Sequence, residues 1–405
     1  MTRVFYFTIV DIGRRDNGGG LVCRNHAKRL AAIPGVELTI CAAGPETQSS
    51  GIATFANEIG ATLHFIPFHH QPANNITRFP YFFYEALAAN NREVDAELLR
   101  LIEVEQPRVL VVDYIPSAIF IPSAYRARNL NRITITLNPE VRFFRDLQRR
   151  ASNGAEFSRS SIARLPLEIH QSIARLRLAI HQRWLFSRSA AVVALTKADL
   201  GLLSLLPKAH VIQPIFDGVL HGKWTDNGRR DVLFVGNIGH YPNRDAVEWI
   251  CMKLSSSLLK IDPGISVRII GVEPGNVPAE WRRQNIEFLG VGDEMLVDRE
   301  LSQTGLFLAP ISNRFGSKIK LLDCLARGTP FAATRQALSG LARLDGAPLL
   351  WLDDPDRSAQ TIEFHLSDSR NVAFSEMLHR ELDTRLAHQQ TAWNKLVTSF
   401  TSFAE

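Results

Sequence analysis

The feature that most constrains the fold is a regular alternation of short apolar runs with helical segments along the chain. Most runs are nearly continuous in hydrophobicity, rich in β-branched residues and followed by Gly, Pro or Asp, which is the pattern of parallel strands buried on both faces. We therefore predict strands at Val4–Val10, Glu37–Ala42, Thr62–Pro67, Val109–Asp113, Ile133–Leu137, Ala191–Leu195, Asp231–Val235, Ser266–Gly271, Ile286–Leu289, Leu306–Ala309 and Pro330–Thr334. Because parallel strands need helical crossovers, the series predicts two successive doubly wound, Rossmann-like α/β units.

The boundary between the two units is predicted from local composition. The connection Leu206–Arg230 is rich in Pro and Gly among polar residues, which is typical of a linker. We place the first domain at residues 1–213 and the second at residues 214–379. From about Phe374 onward the pattern is helical, without strands.

Composition excludes several classes of protein. With 45% hydrophobic and 21% charged residues the chain is globular, not disordered or fibrous. No window holds about 18 uninterrupted apolar residues, so no membrane-spanning helix is expected, and Asp11 rather than a cleavage site follows the first apolar run. The four cysteines lie far apart without metal-ligand spacing, which favours buried thiols in a reducing cytoplasm.

Basic residues are concentrated in one segment. Between Arg142 and Arg188 there are ten arginines, no lysine and three acidic residues, a net charge of +7, so the rest of the chain carries −2. Basicity is thus local, and no nucleic-acid partner is expected. Apolar residues at steps of three and four predict one stripe on a helix here, formed by Ile162, Leu165, Ile169, Ile173, Leu176, Ile180 and Trp184. The helix either covers a sheet with its basic face in solvent, or meets an anionic lipid surface or acceptor.

Two segments are candidates for holding a ligand at the carboxyl end of a strand, where ligands of open α/β sheets bind. The first is Gly18-Gly19-Gly20, which follows the first strand and precedes a helical run. Three glycines allow close approach of the backbone to a phosphate or an acceptor. A plain loop is an equally good interpretation of this triplet.

The second segment, Arg314–Asp323, follows the strand Leu306–Ala309 and enters a helix that should end near Gly328. It offers backbone amides at a helix start, two ammonium groups and a carboxylate for a ribose diol. The residues concerned are Gly316, Ser317, Lys318, Lys320 and Asp323. The pattern is not that of a P-loop, and no G-x-G-x-x-G follows the first strand.

The second half of the chain also contains a recognisable set of stretches, namely Asp231–Asn237, Tyr241–Val247, Ser266–Gly271, Ile286–Val291 and Ala309–Gly340. Together they resemble the donor domain of the bacterial group 1 glycosyltransferases, family 4. The first half resembles the family more loosely, through Gly19-Gly20, Asn138-Pro139-Glu140 and Val192–Thr196.

The resemblance implies the GT-B architecture, in which two Rossmann-like domains face each other across a cleft and a final helix, here about residues 380–405, returns to the first domain. Such enzymes transfer a sugar from a nucleoside diphosphate-sugar to an acceptor hydroxyl, with retention of configuration and with neither metal nor cofactor. The implied role is synthesis of a cell-surface polysaccharide or glycolipid, on a carbohydrate or lipid-linked acceptor. The enzyme would then be cytoplasmic, at the inner membrane face if Arg142–Arg188 binds lipid.

The resemblance also implies a donor site. Asp323 matches the acidic position that holds the ribose, and Gly316 and Ser317 match positions whose amides meet the diphosphate. Lys318 and Lys320 are near the family's Gly-Thr-Arg-x-Lys version of the loop, in which lysine supplies the phosphate charge. The other donor-binding positions are Gly236, Asn237, Arg244 and Val291.

Three positions depart from the family's pattern. Phe315 stands at the first acidic position of the paired-carboxylate motif, Leu137 at a common His, and Asn237 at a common Arg. Donor binding is therefore better supported than catalysis. A nucleotide-sugar epimerase of the same fold and a non-catalytic nucleotide-binding relative stay open as alternatives.

The catalytic groups depend on the stereochemistry. In a front-face retaining reaction the departing phosphate oxygen takes the acceptor proton, so no base is needed, and Lys320 is the candidate that stabilises the leaving group. An inverting reaction would need a base, for which Glu140, Asp113 and His26 are candidates.

Overall fold

The computed structural model describes residues 1–14, 18–68, 92–136, 161–200, 208–216, 222–313, 316–339, 341, 344, 346–367 and 370–400, with the backbone alone for residues 161–171 and 174. The chain divides into two compact units. The first comprises Met1–Leu195, Asp199–Ile212 and Gln390–Glu405, and the second comprises Thr196–Ala198 and Gln213–Gln389.

The first unit is built on a seven-stranded sheet in which all neighbouring strands are parallel. Its strands are β1 (Thr2–Thr8), β2 (Val36–Gly44), β3 (Thr62–Pro67), β4 (Val109–Asp113), β5 (Asn131–Thr136), β6 (Ala191–Ala194) and β7 (Ala209–Val211). They lie in the order β3-β2-β1-β4-β5-β6-β7, which is the Rossmann order with one added strand. The winding direction reverses between β1 and β4.

Helices connect these strands. They are α1 (Gly18–Ala31), α2 (Ser49–Glu58), α3 (Arg92–Glu105), α4 (Ile115–Ile119), α5 (Ser161–Arg188) and α6 (Lys197–Leu200), with a 3₁₀ turn at Glu46–Gln48. The last helix of the chain also contributes, since the fully buried Trp393 lies edge-on to His26 of α1 with ring centroids 5.7 Å apart. Nearby, the Gln390 side-chain amide donates to the carbonyl oxygen of Arg29 at 3.0 Å.

The second unit has a five-stranded parallel sheet in the order β10-β9-β8-β11-β12. Its strands are β8 (Asp231–Val235), β9 (Ser266–Ile270), β10 (Ile286–Phe288), β11 (Leu306–Ala309) and β12 (Phe331–Ala333). The winding direction reverses between β8 and β11. The core is formed around these strands, and every residue of β11 is buried, as a sheet covered on both faces requires.

The helices of the second unit are α7 (Tyr241–Trp249), α8 (Ser255–Ile261), α9 (Glu294–Gln303), α10 (Ile319–Arg327), α11 (Arg335–Leu338), α12 (Pro355–Leu366) and α13 (Arg370–Thr398). A π-type turn at Ile250–Leu254 joins α7 to α8, and 3₁₀ turns lie at Pro274–Asn276 and Ala279–Trp281. The division into units assigns α13 up to Gln389 to the second unit and its remainder to the first.

The predicted fold class is confirmed, since both units are doubly wound and parallel and every predicted strand is present to within two residues at each described end. The predicted linker Leu206–Arg230 contains one strand that the sequence analysis missed, β7, whose three residues are too few to form a pattern. All four cysteines are free and buried, as expected.

One local prediction is wrong. Gly18-Gly19-Gly20 is not a loop before the helix but the first turn of α1. Glycine disfavours a helix by about 1 kcal/mol relative to alanine, and burial of α1, Gly20 included, outweighs that preference. On α5, Ile173, Leu176 and Ile180 of the predicted stripe are exposed, whereas Trp184 of the same stripe packs against the core of the first unit. The spacing rule identified an apolar face but not its partner.

Candidate functional site

The carboxyl ends of β8 and β11 lie side by side where the second sheet reverses its winding, which is the binding position in sheets of this type. The segment after β8 begins with Gly236-Asn237 and leads into α7. The segment after β11 ends with Gly316-Ser317 and leads into α10. Residues predicted separately from these two segments are therefore brought to one edge of one domain.

Lys320 joins the two segments. Its ammonium group donates to Oδ1 of Asn243 at 2.8 Å, and Nδ2 of Asn243 donates to the carbonyl oxygen of Asn237 at 2.8 Å. A Cβ on Gly236 would lie 2.8 Å from Cγ of Asn243 and 2.9 Å from Nζ of Lys320. Position 236 is a glycine because these two side chains occupy the space that a larger residue would need.

The site is electropositive and partly desolvated. Burial, helped by the charge of Lys318, lowers the pKa of Lys320 to about 8. Burial and the ammonium groups of Lys320 and Lys318 also lower the pKa of His240, which precedes α7. The Lys318 ammonium donates to the carbonyl oxygen of Gly316 at 3.3 Å. A bound anion would stabilise both ammonium groups, so the arrangement suits a diphosphate.

A glycine-containing turn precedes α10, as the sequence predicts, but the helix begins a few residues later than expected. Gly316 has φ +71°, a conformation that favours glycine. Helix α10 begins at Ile319 with Lys318 as its N-cap, not at Gly316 or Ser317 as predicted. The hydroxyl of Ser317 is shielded from solvent and has no hydrogen-bond partner among the described residues. The helix N-terminus, its partial positive charge and two lysines are therefore at one place.

Asp323 lies on the same face of α10 as Lys320, three residues further along. Its Oδ1 accepts from Nε of Arg327 at 3.1 Å, and Arg327 also pairs with Asp298 of α9. Burial, together with the nearby carboxylate of Glu294, raises the pKa of Asp323 to about 7. Arg327 thus holds Asp323 in a fixed orientation beside the lysines, at a position that suits a ribose next to its diphosphate.

The other predicted site residues are less closely associated. Val291 is exposed after β10, two strands away from β8, with its amide 3.4 Å from Oε1 of Glu273. Arg244 is exposed on α7, next to Asn243 in the sequence. Glu140 lies outside the described residues, as do Phe315 and Leu137.

His26 and Asp113 form a network in the core of the first unit. Nδ1 of His26 lies 2.7 Å from Oδ2 of Asp113, and the Tyr6 hydroxyl donates to the same oxygen at 2.5 Å. Both side chains of the His–Asp pair are fully buried. Their burial favours a structural role over that of a base open to an acceptor.

Sequence reasoning missed three parts of the site: Asn243, His240 and Gly271. Asn243 lies within the stretch Tyr241–Val247 but is not among the predicted site residues, although it makes the contact to Lys320. Gly271, φ +117°, packs against the backbone of Gly236 and Asn237. Contacts between distant segments leave no local pattern in the sequence. The signal that could have pointed to Asn243 and His240 was the resemblance of the stretch around Tyr241-Pro242 to the donor domain.

Residues 229–368 match the sequence model of the family described as "Glycosyl transferases group 1". No curated protein matches the chain. Similar solved structures include sucrose-phosphate synthase from Thermosynechococcus elongatus, with 13% identity and a TM-score of 0.63, covering 99% of this chain and 98% of that one. Anabaena Alr3699/HepE in complex with UDP and glucose has 10% identity and a TM-score of 0.61, covering 100% of both chains.

A third similar structure is described as "Trehalose-6-phosphate from E. coli bound with UDP-2-fluoro glucose". It has 12% identity and a TM-score of 0.59, and the match covers 100% of both chains. The chain therefore has the fold of the GT-B glycosyltransferases. The residues that match the group 1 family model lie in the second unit, where the sequence resemblance is also found.

Metal-ligand clusters and membrane-spanning helices are both absent from the described residues. Among them, no three His, Cys, Asp or Glu side chains are grouped as ligands for a metal ion. No helix in the described part of the chain is both long and apolar enough to cross a bilayer.

Proposed function

We propose that the protein transfers a sugar, of hexose type, from a nucleoside diphosphate-sugar to an acceptor hydroxyl, as a family 4 enzyme. The observation that carries this proposal is the joining of Lys320, Asn243 and Gly236 at the switch point of a group 1 domain, with Lys318 beside them. Two ammonium groups beside the start of α10 suit the negative charge of a diphosphate.

The proposed reaction is retaining and independent of metal. Breaking the bond between sugar and diphosphate places negative charge on the leaving group, which the two lysines and the α10 amides stabilise. The departing phosphate oxygen then takes the acceptor proton as the acceptor oxygen bonds to the anomeric carbon. Neither a divalent ion nor a cofactor is required in this scheme.

The first experiment is a thermal-shift screen with nucleoside diphosphates and their sugars, followed by product analysis after incubation with the donor alone. UDP-glucose is the first donor to test, because HepE was solved with UDP and glucose. We expect stabilisation by at least one nucleotide and slow release of free sugar that survives excess chelator. An epimerised donor would support the epimerase alternative instead, and stabilisation without turnover, with or without acceptor extracts, would support the non-catalytic one. Activity lost with chelator and restored by Mg²⁺ or Mn²⁺ would refute metal independence.

At about pH 8, where most of the Asp323 carboxyl is ionised, Asp323→Asn should weaken the binding of the nucleotide and of the free nucleoside alike. The expected loss is roughly 1–3 kcal/mol, because the ribose diol loses a charged acceptor. Calorimetric titration with the stabilising nucleotide measures this. The matched control is Asp298→Asn, which removes the other carboxylate paired with Arg327. It should lower the melting temperature and leave the dissociation constant unchanged. Equal weakening by both variants would mean that Asp323 acts only through Arg327.

We also propose that the enzyme works at the inner face of the membrane, in the synthesis of a polysaccharide or glycolipid. Support comes from α5, whose aliphatic row, Ile173, Leu176 and Ile180, is 43%, 61% and 60% exposed. From residue 172 to 188 the sequence has four arginines and no acidic residue. An apolar row flanked by arginines is the composition of a helix that lies in the interface of an anionic membrane.

Sedimentation with liposomes tests this attachment. Binding should appear with anionic vesicles, fall at high salt because the charges are screened, and be lost when the aliphatic row is changed to serine. Changing Arg175, Arg177 and Arg183 to Gln should weaken it roughly 100-fold, because each arginine near the surface contributes about 1 kcal/mol and about 1.4 kcal/mol is a factor of ten.

The control for the aliphatic row changes other exposed apolar residues to serine, namely Val104, Met252 and Phe364. This variant should sediment like the wild type. Equal sedimentation with neutral and anionic vesicles, or none with either, would refute the attachment, and a dimer broken by the row variant would show that a second copy covers the row.

A further inference from the structure

Tyr114 has a backbone conformation that residues other than glycine strongly disfavour. It follows β4 directly, with φ +78° and ψ +130°. Gln106 and Asn129 are the other described non-glycine residues with positive φ, at +47° and +58°. The conformation of Tyr114 lies outside the left-handed helical region, close to the region that is occupied almost only by glycine. A tyrosine at this position therefore carries strain that a glycine would not.

The residues before and after Tyr114 are both anchored by hydrogen bonds, which maintain its strained conformation. Before Tyr114, the carboxylate of Asp113 is fixed in the core by the Tyr6 hydroxyl and the His26 imidazole. After it, the Ser117 hydroxyl accepts from the amide of Ile9 at 3.1 Å, which ties the start of α4 to the end of β1. Such anchoring is what a strained residue needs in order to persist.

These anchors lie at a definite place in the fold. Strands β1 and β4 are neighbours at the point where the first sheet reverses its winding, and Tyr114 stands at the carboxyl end of β4. Its amide donates to the carbonyl oxygen of Ile135 at 3.2 Å, and its carbonyl accepts from the Ser117 amide at 2.9 Å. A strained turn from strand to helix presents its central residue above the sheet, as in the nucleophile elbow of hydrolases.

We infer that Tyr114 contacts the acceptor, with a sugar ring against its aromatic face and a sugar hydroxyl at its phenol. This rests on the proposed function and specifies the residue that recognises the substrate. Tyrosine offers an apolar body with a polar tip and little conformational freedom, which suits a ring whose faces are C–H and whose edge is hydroxyl. The Tyr6–Asp113–His26 network, which the proposed transfer reaction does not use, is then a positioning device for this residue.

The test compares stability with sugar binding in Tyr114→Gly. Melting temperature reports the strain, and saturation-transfer NMR reports binding of the methyl glycosides of glucose, galactose, mannose and N-acetylglucosamine in the presence of UDP. The wild type should bind at least one glycoside. Tyr114→Gly should melt a few degrees higher because the strain is removed, and should lose about fivefold in glycoside affinity. Tyr114→Phe should keep the stacking contribution and lose that of the hydroxyl.

Gln106→Gly and Asn129→Gly are the matched controls. Both residues precede a strand, at the opposite end of the sheet from Tyr114. They should leave glycoside binding unchanged. The inference is overturned if no glycoside binds to the wild type, if Tyr114→Gly binds as the wild type does, or if that variant melts lower, which would make Tyr114 a packing residue. Stabilisation by UDP, measured in the same samples, reports on the proposed donor site separately.

Discussion

The affinity for UDP should fall about tenfold per pH unit above about pH 8, beyond the range in which Asp323, with its pKa of about 7, ionises. Burial, with Lys318 as a second cause, lowers the pKa of Lys320 to about 8. The free protein therefore loses this proton as the pH rises through 8, whereas the bound diphosphate holds the ammonium form and raises its pKa. Binding above that value includes the cost of taking up a proton, about 1.4 kcal/mol per pH unit. Calorimetric titrations above neutrality, where the diphosphate itself is fully ionised, measure both the affinity and the proton uptake.

Lysine variants identify the group responsible for this profile. Lys320→Met should bind about 10- to 100-fold more weakly at neutral pH and show no step near pH 8, because a charged hydrogen bond contributes about 1.5–3 kcal/mol. Lys318→Met should keep the step and move it to higher pH, since one cause of the lowered pKa is removed. Lys253→Met, at an exposed position on another element, should match the wild type. A step that persists in Lys320→Met would assign it to another group.

The sheets could be predicted from the sequence because their physical cause is local. A strand such as β11 is buried on both faces, so each of its residues must be apolar, and the run of four is visible without any partner. The end of α10 was equally predictable, since Gly328 has the left-handed conformation, φ +74°, that terminates helices. By contrast, β7 has three residues, none of them buried, and no pattern marks it.

The site was predictable in its parts and not in its assembly. The lysines were identified from their position after a buried strand, and the pair of Asp323 with Arg327 has the i,i+4 spacing of helix salt bridges. Lys320 and Asn243 are 77 residues apart, and only the order of strands β8 and β11 in the folded sheet brings them together. In the same way, the exposure of the aliphatic row on α5 depends on what the helix packs against, which its own spacing does not encode.

Gly271→Ala should be the most damaging small substitution near the site. A Cβ on Gly271 would overlap the carbonyl group of Gly236 and lie 3.0 Å from the amide nitrogen of Asn237. Both neighbours are backbone, so they cannot rotate away as a side chain could. The residue also has φ +117°, which alanine adopts only with strain. Overpacking and strain each cost about 1–3 kcal/mol, so a loss of about 2–6 kcal/mol in the free energy of unfolding is expected.

Substitutions at two other glycines distinguish the cost of overpacking from the cost of backbone strain. Gly60→Ala meets no atom within 4 Å and has φ +69°, so it should show the cost of strain alone, about 1 kcal/mol. Gly275→Ala also has open space, without a positive φ, and should be neutral. Denaturant unfolding of the three variants measures these differences. Because Gly236 leads into the segment that Asn243 and Lys320 hold, any Gly271→Ala protein that folds should also bind UDP more weakly, while the two controls bind it normally. Equal stability of Gly271→Ala and Gly275→Ala would show that the strand ends of β8 and β9 are not packed as closely as the structure has them.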